Sequence, residues 1–409
     1  MNALVTESPE RIRVLRMIAR LNIGGPAIHV VLLSQKLPSP PYETRLVVGN
    51  VGENEGDMAY YAAEHGVTPE FIDGLQRNIH PIRDLRVLWE VYQLMRHYRP
   101  HIVHTHTAKA GFIGRLAAWL AGVPVIVHTF HGHVFSGYDY SPLRVWLFVT
   151  LEQLAARMSD TIITLTETLR KELAEQYHIT RRGRITVLPL GLDLERFVTA
   201  KRQTGAFRKA WGIAPETPLV GIVGRLTGVK NHRLFLDAAR QIHQQRPDVR
   251  FVIVGDGELM GSLRQHTHAL DLDDAVIFTG WQTDMLPVYV DLNVKVISSN
   301  NEGTPVTLIE ALAAGVPVVA THVGGIPDLL EGGKIGTIVP PENPNALAEA
   351  ILQTLNTPPD TEGIRQAMIK RYGIDRLVND IDSLYRGLLT RKGVKLSSTA
   401  HDPVREFKG

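Results

Sequence analysis

Short apolar runs alternating with longer amphipathic stretches constrain this chain more than any single residue does. In the first half, residues 13–19, 44–48, 68–72, 102–105, 125–129, 161–165 and 184–188 read as strands, and residues 28–37, 82–97, 143–158 and 168–177 carry helical spacing. The pattern breaks at Pro189-Leu-Gly-Leu-Asp193, and residues 201–211 are polar and mixed. A second series of strands follows at 219–223, 249–255, 275–279, 292–297, 317–320 and 336–339, with helical periodicity from 344 to 389. Strands separated by helices of this length predict an α/β chain of parallel sheets covered on both faces. Ligands then belong at the carboxyl ends of the strands. With 409 residues and 44% hydrophobic content, two similar halves can each bury a core, and the connection falls between Pro189 and Pro218.

The stretch Ser298-Ser-Asn-Asn-Glu-Gly-Thr-Pro-Val-Thr-Leu-Ile-Glu310 reads as strand end, glycine loop and helix start. Gly303 permits a close backbone approach, and Pro305 suits a first helical turn, where a missing N–H costs nothing. The bared amides of such a helix start favour an anion, phosphate above all. Glu302 and Glu310 can accept hydrogen bonds from sugar hydroxyls, or they can be solvated charges that complement the helix dipole. In Gly224-Arg-Leu-Thr-Gly-Val-Lys230-Asn the spacing is not that of a Walker A loop. It still sets Arg225 and Lys230 before a helix, where a rigid fork and a mobile charge suit a leaving group that gains negative charge. The alternative is two exposed cations on a surface loop. Gly24-Gly25-Pro, after the first strand, offers a second anion-facing helix start, or merely a tight turn.

Five histidines, His104, His106, His128, His131 and His133, gather at the ends of two strands. They could ligate a metal, or pack and hydrogen-bond within the sheet; no Asp or Glu stands among them. There is no cysteine, which removes disulfides, thiol nucleophiles and thiolate metal sites. A net charge of +2 gives no argument for nucleic acid. The first ten residues lack a signal-peptide pattern, and no apolar run approaches the ~18 residues of a membrane span, so a cytoplasmic protein is expected. Arg83, Arg86, Arg96 and Arg99, and Arg144 and Arg157 among Leu143, Trp146, Leu147 and Phe148, form either solvated helix faces or a surface that touches a membrane.

Glu302 and Glu310, with seven residues between them and Gly303-Thr304-Pro305 after the first, resemble the E-x7-E motif of the retaining glycosyltransferases of family 4. The Gly224 to Lys230 loop resembles the same family's diphosphate loop, and Pro189-Leu-Gly-Leu-Asp193 its Pro-x-Gly-x-Asp linker. The resemblance implies a GT-B fold: two Rossmann-like domains, 1–195 and 196–373, whose sheets face a central cleft. A helix within 374–390 crosses back to the first domain, and a polar tail follows at 391–409. It implies catalytic roles for Glu302, Arg225, Lys230 and His131, with His133 as a rival for the sugar-facing position. It assigns donor contacts to Gly24, Gly25, Gly303, Thr304, Pro305 and Glu310, and a place near the nucleobase to Trp281, which could equally be a core anchor. A Thr-His-Thr-x-Lys-Ala-Gly run puts His106 and Lys109 on the acceptor side, where His133 is the further candidate. The implied reaction moves a sugar from a nucleotide-diphosphate sugar, UDP being the family's commoner base, to a glycan or lipid-linked hydroxyl. No metal or other cofactor is implied. A non-hydrolysing nucleotide-sugar epimerase and a non-catalytic nucleotide-sugar binding protein are the alternatives.

Overall fold

The computed structural model describes residues 11–52, 56–76, 80–132 and 141–394. Seven strands form the first sheet: β1 Ile12–Ile18, β2 Tyr42–Val48, β3 Glu70–Phe71, β4 Ile102–His106, β5 Val125–Phe130, β6 Thr161–Thr164 and β7 Ile185–Val187. Six form the second: β8 Leu219–Val223, β9 Arg250–Val254, β10 Val276–Gly280, β11 Val294–Ile297, β12 Val318–Thr321 and β13 Thr337–Val339. The orders are β3-β2-β1-β4-β5-β6-β7 and β10-β9-β8-β11-β12-β13, and every pairing is parallel. Helices cover both faces, so the central strands are buried throughout. Leu15, Val103, Val127, Val220, Val252 and Val296 all have no exposed surface.

Each sheet grows outward in one direction and then reverses, between β1 and β4 in the first and between β8 and β11 in the second. Crevices for ligands open at such reversals. Here they receive Gly24 and Gly25 after β1, the turn before Lys109 after β4, the Gly224 to Lys230 loop after β8 and the Ser298 to Pro305 loop after β11.

The last helix, Ile374–Arg391, carries Ile374, Leu377, Ile381, Tyr385 and Leu388 at helical spacing. They pack with Ile12, Val14, Leu32, Leu33 and Ile102 in one core of the first half. Arg376 fastens its start by donating to the carbonyls of Pro189 and Leu190 at 2.6 and 2.8 Å. Gly191 is required at this crossing, because a Cβ there would lie 2.5 Å from Cβ of Leu377.

Some boundaries differ from the sequence reading. The strand expected at 68–72 shrinks to Glu70–Phe71 at the sheet edge, where Phe71 is exposed and has no outer neighbour to pair with. The connection expected to be irregular contains helices Glu195–Val198 and Ala206–Ala210. The second is held by Asp291, which accepts from the amides of Gly205, Phe207 and Arg208 at 2.8, 2.9 and 3.2 Å. The first-half helix begins at Gly25 rather than 28, and the stretch from 344 to 389 is three helices, Pro344–Asn356, Glu362–Tyr372 and Ile374–Arg391. Residues 395–409 of the polar tail lie outside the described residues. No helix among the described residues is long and apolar enough to cross a membrane.

Candidate active site

The loops after β8 and β11 are tied into one wall. Ser298 Oγ lies 3.1 and 2.9 Å from the carbonyl oxygens of Lys230 and Asn231, and the Asn300 amide donates to Val229 O at 2.9 Å. Lys230 ends a single 3-10 turn, Gly228–Lys230, ahead of helix His232–Gln245. Its Nζ donates to Glu302 Oε1 at 2.7 Å, and Ser299 Oγ donates to the same oxygen at 2.6 Å. Glu302 is 8% exposed, so this ion pair sits in the wall rather than on the surface. Arg225 lines the same cavity.

Helix Val306–Ala313 has Pro305 as its non-helical cap at φ −70°, ψ 112°, just ahead of the first turn in which it was expected. Pro305 has no N–H of its own, and the bared amides of the first turn follow it. The Thr304 hydroxyl is buried without a hydrogen-bond partner among the described residues. At Gly303 the two halves lie close together: a Cβ there would lie 2.5 Å from His131 O and 2.9 Å from Gly132 Cα. Gly25 lies against Val306, so the two helix starts approach each other across the cleft.

Glu310, one turn into the helix, accepts from the Tyr289 hydroxyl at 3.0 Å. Burial pushes its carboxyl up to about 7, while Tyr289, Arg196 and Lys295 pull the other way. Behind both glutamates lies Lys295 of β11, with no exposed surface, donating to Val296 O at 2.7 Å. Burial, reinforced by Lys230, pushes its amine down to about 7 against the pull of Glu302 and Glu310. Nothing in the sequence reading singled out Lys295. A lysine inside the apolar run 292–297 was the available signal.

On the opposite wall His131 and Gly132 line the cavity. His131 is buried enough that its imidazole is pushed down to about 3. Its Nε2 shares a 3.0 Å hydrogen bond with His106 Nδ1. His106 is fully buried and is not on the cleft wall, which corrects its expected place as an acceptor contact: it stands behind His131. His133 lies outside the described residues. Among the described residues, His104, His106, His128 and His131 do not gather as one ligand set. His104 is engaged by Tyr385 OH at 2.6 Å and Thr129 Oγ1 at 2.7 Å, and His128 by Thr105 Oγ1 at 2.8 Å.

The structure instead brings in His29, whose ring nitrogens lie with those of His106 and His131 within 4.8 Å of one another. Its position, one turn after the Gly-Gly-Pro helix start, was the missed signal. No carboxylate belongs to this trio, and the buried guanidinium of Arg16 acts on both His29 and His106. Among the described residues a dication there would meet like charge with no carboxylate in the ligand set to offset it, so this donor set fits a metal poorly. Lys109 pairs with Asp84 at 2.6 Å, and Trp281, 45% exposed, lines the cavity rather than the core.

Two parallel sheets whose reversals open onto one cavity, with the last helix returning to the first sheet, define the GT-B class of glycosyltransferases. HepE of Anabaena, solved in complex with UDP, superposes with a TM-score of 0.77 at 21% identity, over 92% of this chain and 100% of its own. Sucrose-phosphate synthase of Thermosynechococcus elongatus superposes at 0.75 with 20% identity, over 93% of this chain and 100% of its own. Residues 23–196 match the family model described as Glycosyltransferase Family 4, and residues 203–374 the one described as Glycosyl transferases group 1. The chain belongs to the family 4 glycosyltransferases and is an enzyme of sugar transfer. It is 29% identical over 364 residues to the Escherichia coli UDP-Gal:alpha-D-GlcNAc-diphosphoundecaprenol alpha-1,3-galactosyltransferase, covering 87% of this chain and 92% of that one. It is also 25% identical over 327 residues to the Staphylococcus aureus capsular polysaccharide biosynthesis glycosyltransferase CapM, covering 77% and 84%.

Proposed function

We propose that the protein transfers a hexosyl group, with retention of configuration, from a UDP-sugar to a hydroxyl of a glycan or lipid-linked acceptor, without a metal. Residues 196–373 act as the donor domain, and residues 1–195 with 374–390 as the acceptor domain. The observation that carries this reading is the shared wall in which Lys230, Arg225, the helix start after Pro305 and the two glutamates meet around one cavity. Arg225 and Lys230 stabilise the departing diphosphate, the amides after Pro305 and the Thr304 hydroxyl meet phosphate or sugar, and Gly24 and Gly25 give it room. Glu310 accepts from ribose hydroxyls beside Trp281. Glu302 positions Lys230 and accepts from the sugar, and His131 holds the sugar from the opposite wall.

Glu302 is already engaged by Lys230 and Ser299 on one oxygen, which suits a binding role better than a nucleophile's. Retention then proceeds on one face of the sugar, the leaving phosphate helping to deprotonate the acceptor. UDP as the base is supported by the UDP complex of HepE and by the donor in the E. coli relative's name. That name also supports a diphosphate-lipid acceptor, which on this reading is met at the inner face of the cytoplasmic membrane. Ile82, Leu143 and Trp146, 80, 74 and 63% exposed, with Arg86 and Arg144 beside them in sequence, support a peripheral contact there.

The test is transfer from labelled UDP-sugars, with the product's anomeric configuration read by proton NMR. Lys230→Ala and Glu302→Gln should each lower the rate by ~10²–10³, as loss of one preorganised charged contact does. Chelator should leave it unchanged. An inverted product, near-full rates in both variants, or chelator loss restored by Mg²⁺ would each overturn the corresponding part.

A further inference from the structure

The cavity has a volume of about 2250 Å³, well beyond the ~300–1,000 Å³ usual for a single small ligand. Beyond His131 its lining changes character. Three first-half helices, Pro81–Tyr98, Ala108–Ala121 and Pro142–Arg157, supply Leu88, Phe112, Leu116, Phe148 and Leu151. These helices follow β3, β4 and β5, so they start at the carboxyl ends of the strands, on the cleft side. Each begins with a charged residue that lines the cavity, Asp84, Lys109 and Arg144, and continues with apolar ones on the same face at helical spacing. Lys109, Phe112 and Leu116 make one such row, and Arg144, Phe148 and Leu151 another. Along each row polarity therefore falls from the helix start at the cleft to the apolar positions, and Glu152, which also lines the cavity, is paired with Arg115 at 2.6 Å.

We infer that this apolar arm holds the first isoprenoid or alkyl units of a lipid-diphosphate acceptor, with Lys109 and Arg144 taking the diphosphate. The inference rests on the glycosyltransferase reading above and specifies its acceptor. Glycan, diphosphate and hydrocarbon are the order in which such an acceptor is built, and sugar wall, cations and apolar arm are the order in which this cavity is lined. Ile82, Leu85 and Leu143, near the starts of two of these helices, are 80, 67 and 74% exposed. Asp84 holds Lys109 at 2.6 Å, and an arriving diphosphate competes with it for that amine.

The experiment compares acceptors that share glycan and diphosphate but carry ethyl, geranyl or farnesyl tails, each kept below its critical micelle concentration. KM should fall about tenfold or more from ethyl to farnesyl, which needs burial of only about two methylenes. In Leu116→Gln, and in Phe148→Gln should the first variant fail to fold, the ratio of the two KM values should collapse towards one. Equal KM for all tails in the parent protein, or an undiminished ratio in the folded variants, would overturn the arm while leaving sugar transfer standing. No transfer to any of the three would overturn the reading beneath it.

Discussion

Replacing Glu310 with glutamine should make the protein more stable at pH 8 and a poorer binder of its nucleotide. Burial raises this carboxyl from the usual 4.5 to about 7, worth at most ~3 kcal/mol. The folded state keeps a proton that the unfolded chain has already released between those two values. Stability therefore falls as pH rises from 4.5 to 7, and the cost of the ionised carboxylate is fully present above pH 7. Glutamine keeps the shape and an acceptor for Tyr289 OH but removes the charge. Because Glu310 retains some surface on the cleft, the gain should be about 1–3 kcal/mol at pH 8, several degrees of Tm, and close to nothing at pH 4.5. The ribose hydroxyls lose a charged acceptor, worth ~1.5–3 kcal/mol, so UDP should bind about 10- to 100-fold more weakly. Below pH 7, as Glu310 takes up its proton, UDP affinity should fall more steeply in the parent protein than in the variant, since the terminal phosphate of UDP, which itself titrates near ~6, acts on both alike. Thermal unfolding and calorimetric UDP titration from pH 5 to 8 read both effects. A variant no more stable than its parent at pH 8, or two parallel affinity profiles, would refute the reasoning.

Gly303→Ala drives a Cβ to within 2.5 Å of His131 O. The two walls must shift by about an ångström, so transfer should fall on the order of 10²-fold with circular dichroism unchanged, and a normal rate would show that the walls do not meet there in turnover. Lys295→Met removes a buried amine lowered from 10.5 to about 7. A depressed amine costs stability when charged, below pH 7, and the cost fades as pH rises towards 10.5. Urea unfolding should therefore show a gain of at most ~5 kcal/mol at pH 6 and little at pH 10, and a loss at pH 6 would contradict it.

The sheets were legible because a buried parallel strand leaves a continuous apolar run, and runs such as Leu219–Val223 survive in any tertiary setting. The donor wall was legible for a related reason: Gly303, Pro305, Lys230 and the glutamates are local signals of loop and helix start. What the sequence hid depends on partners far along the chain. Helix Ala206–Ala210 exists because Asp291, more than eighty residues later, caps it. His106 looked available for a ligand because its burial behind His131 is set by the neighbouring strand and by helix Gly25–Lys36, which brings His29. Glu302 and Lys230 were each given a separate task, and only the folded loops show them sharing one hydrogen bond.

The returning helix bears on the site through one side chain. Tyr385 has no exposed surface, its hydroxyl lies 2.6 Å from His104 Nδ1, and Arg16 donates to it at 3.4 Å. The His104 ring sits 4.3 Å from that of His106, which in turn bonds His131 at the cleft. A single hydrogen bond between His106 and His131 needs one ring to donate and the other to accept, so whatever fixes the histidines behind His131 also fixes the face His131 turns to the sugar. Tyr385→Phe keeps the ring and leaves His104 and Arg16 without that oxygen, which should cost ~1–3 kcal/mol in urea unfolding. It should also lower the transfer rate with little change in UDP affinity, since the charged groups placed against UDP lie in the second half. Amide exchange over residues 374–391 should quicken in step with the stability loss. An unchanged unfolding midpoint with unchanged transfer would mean that the helix is held by its apolar face alone and that the histidine row does not reach the site.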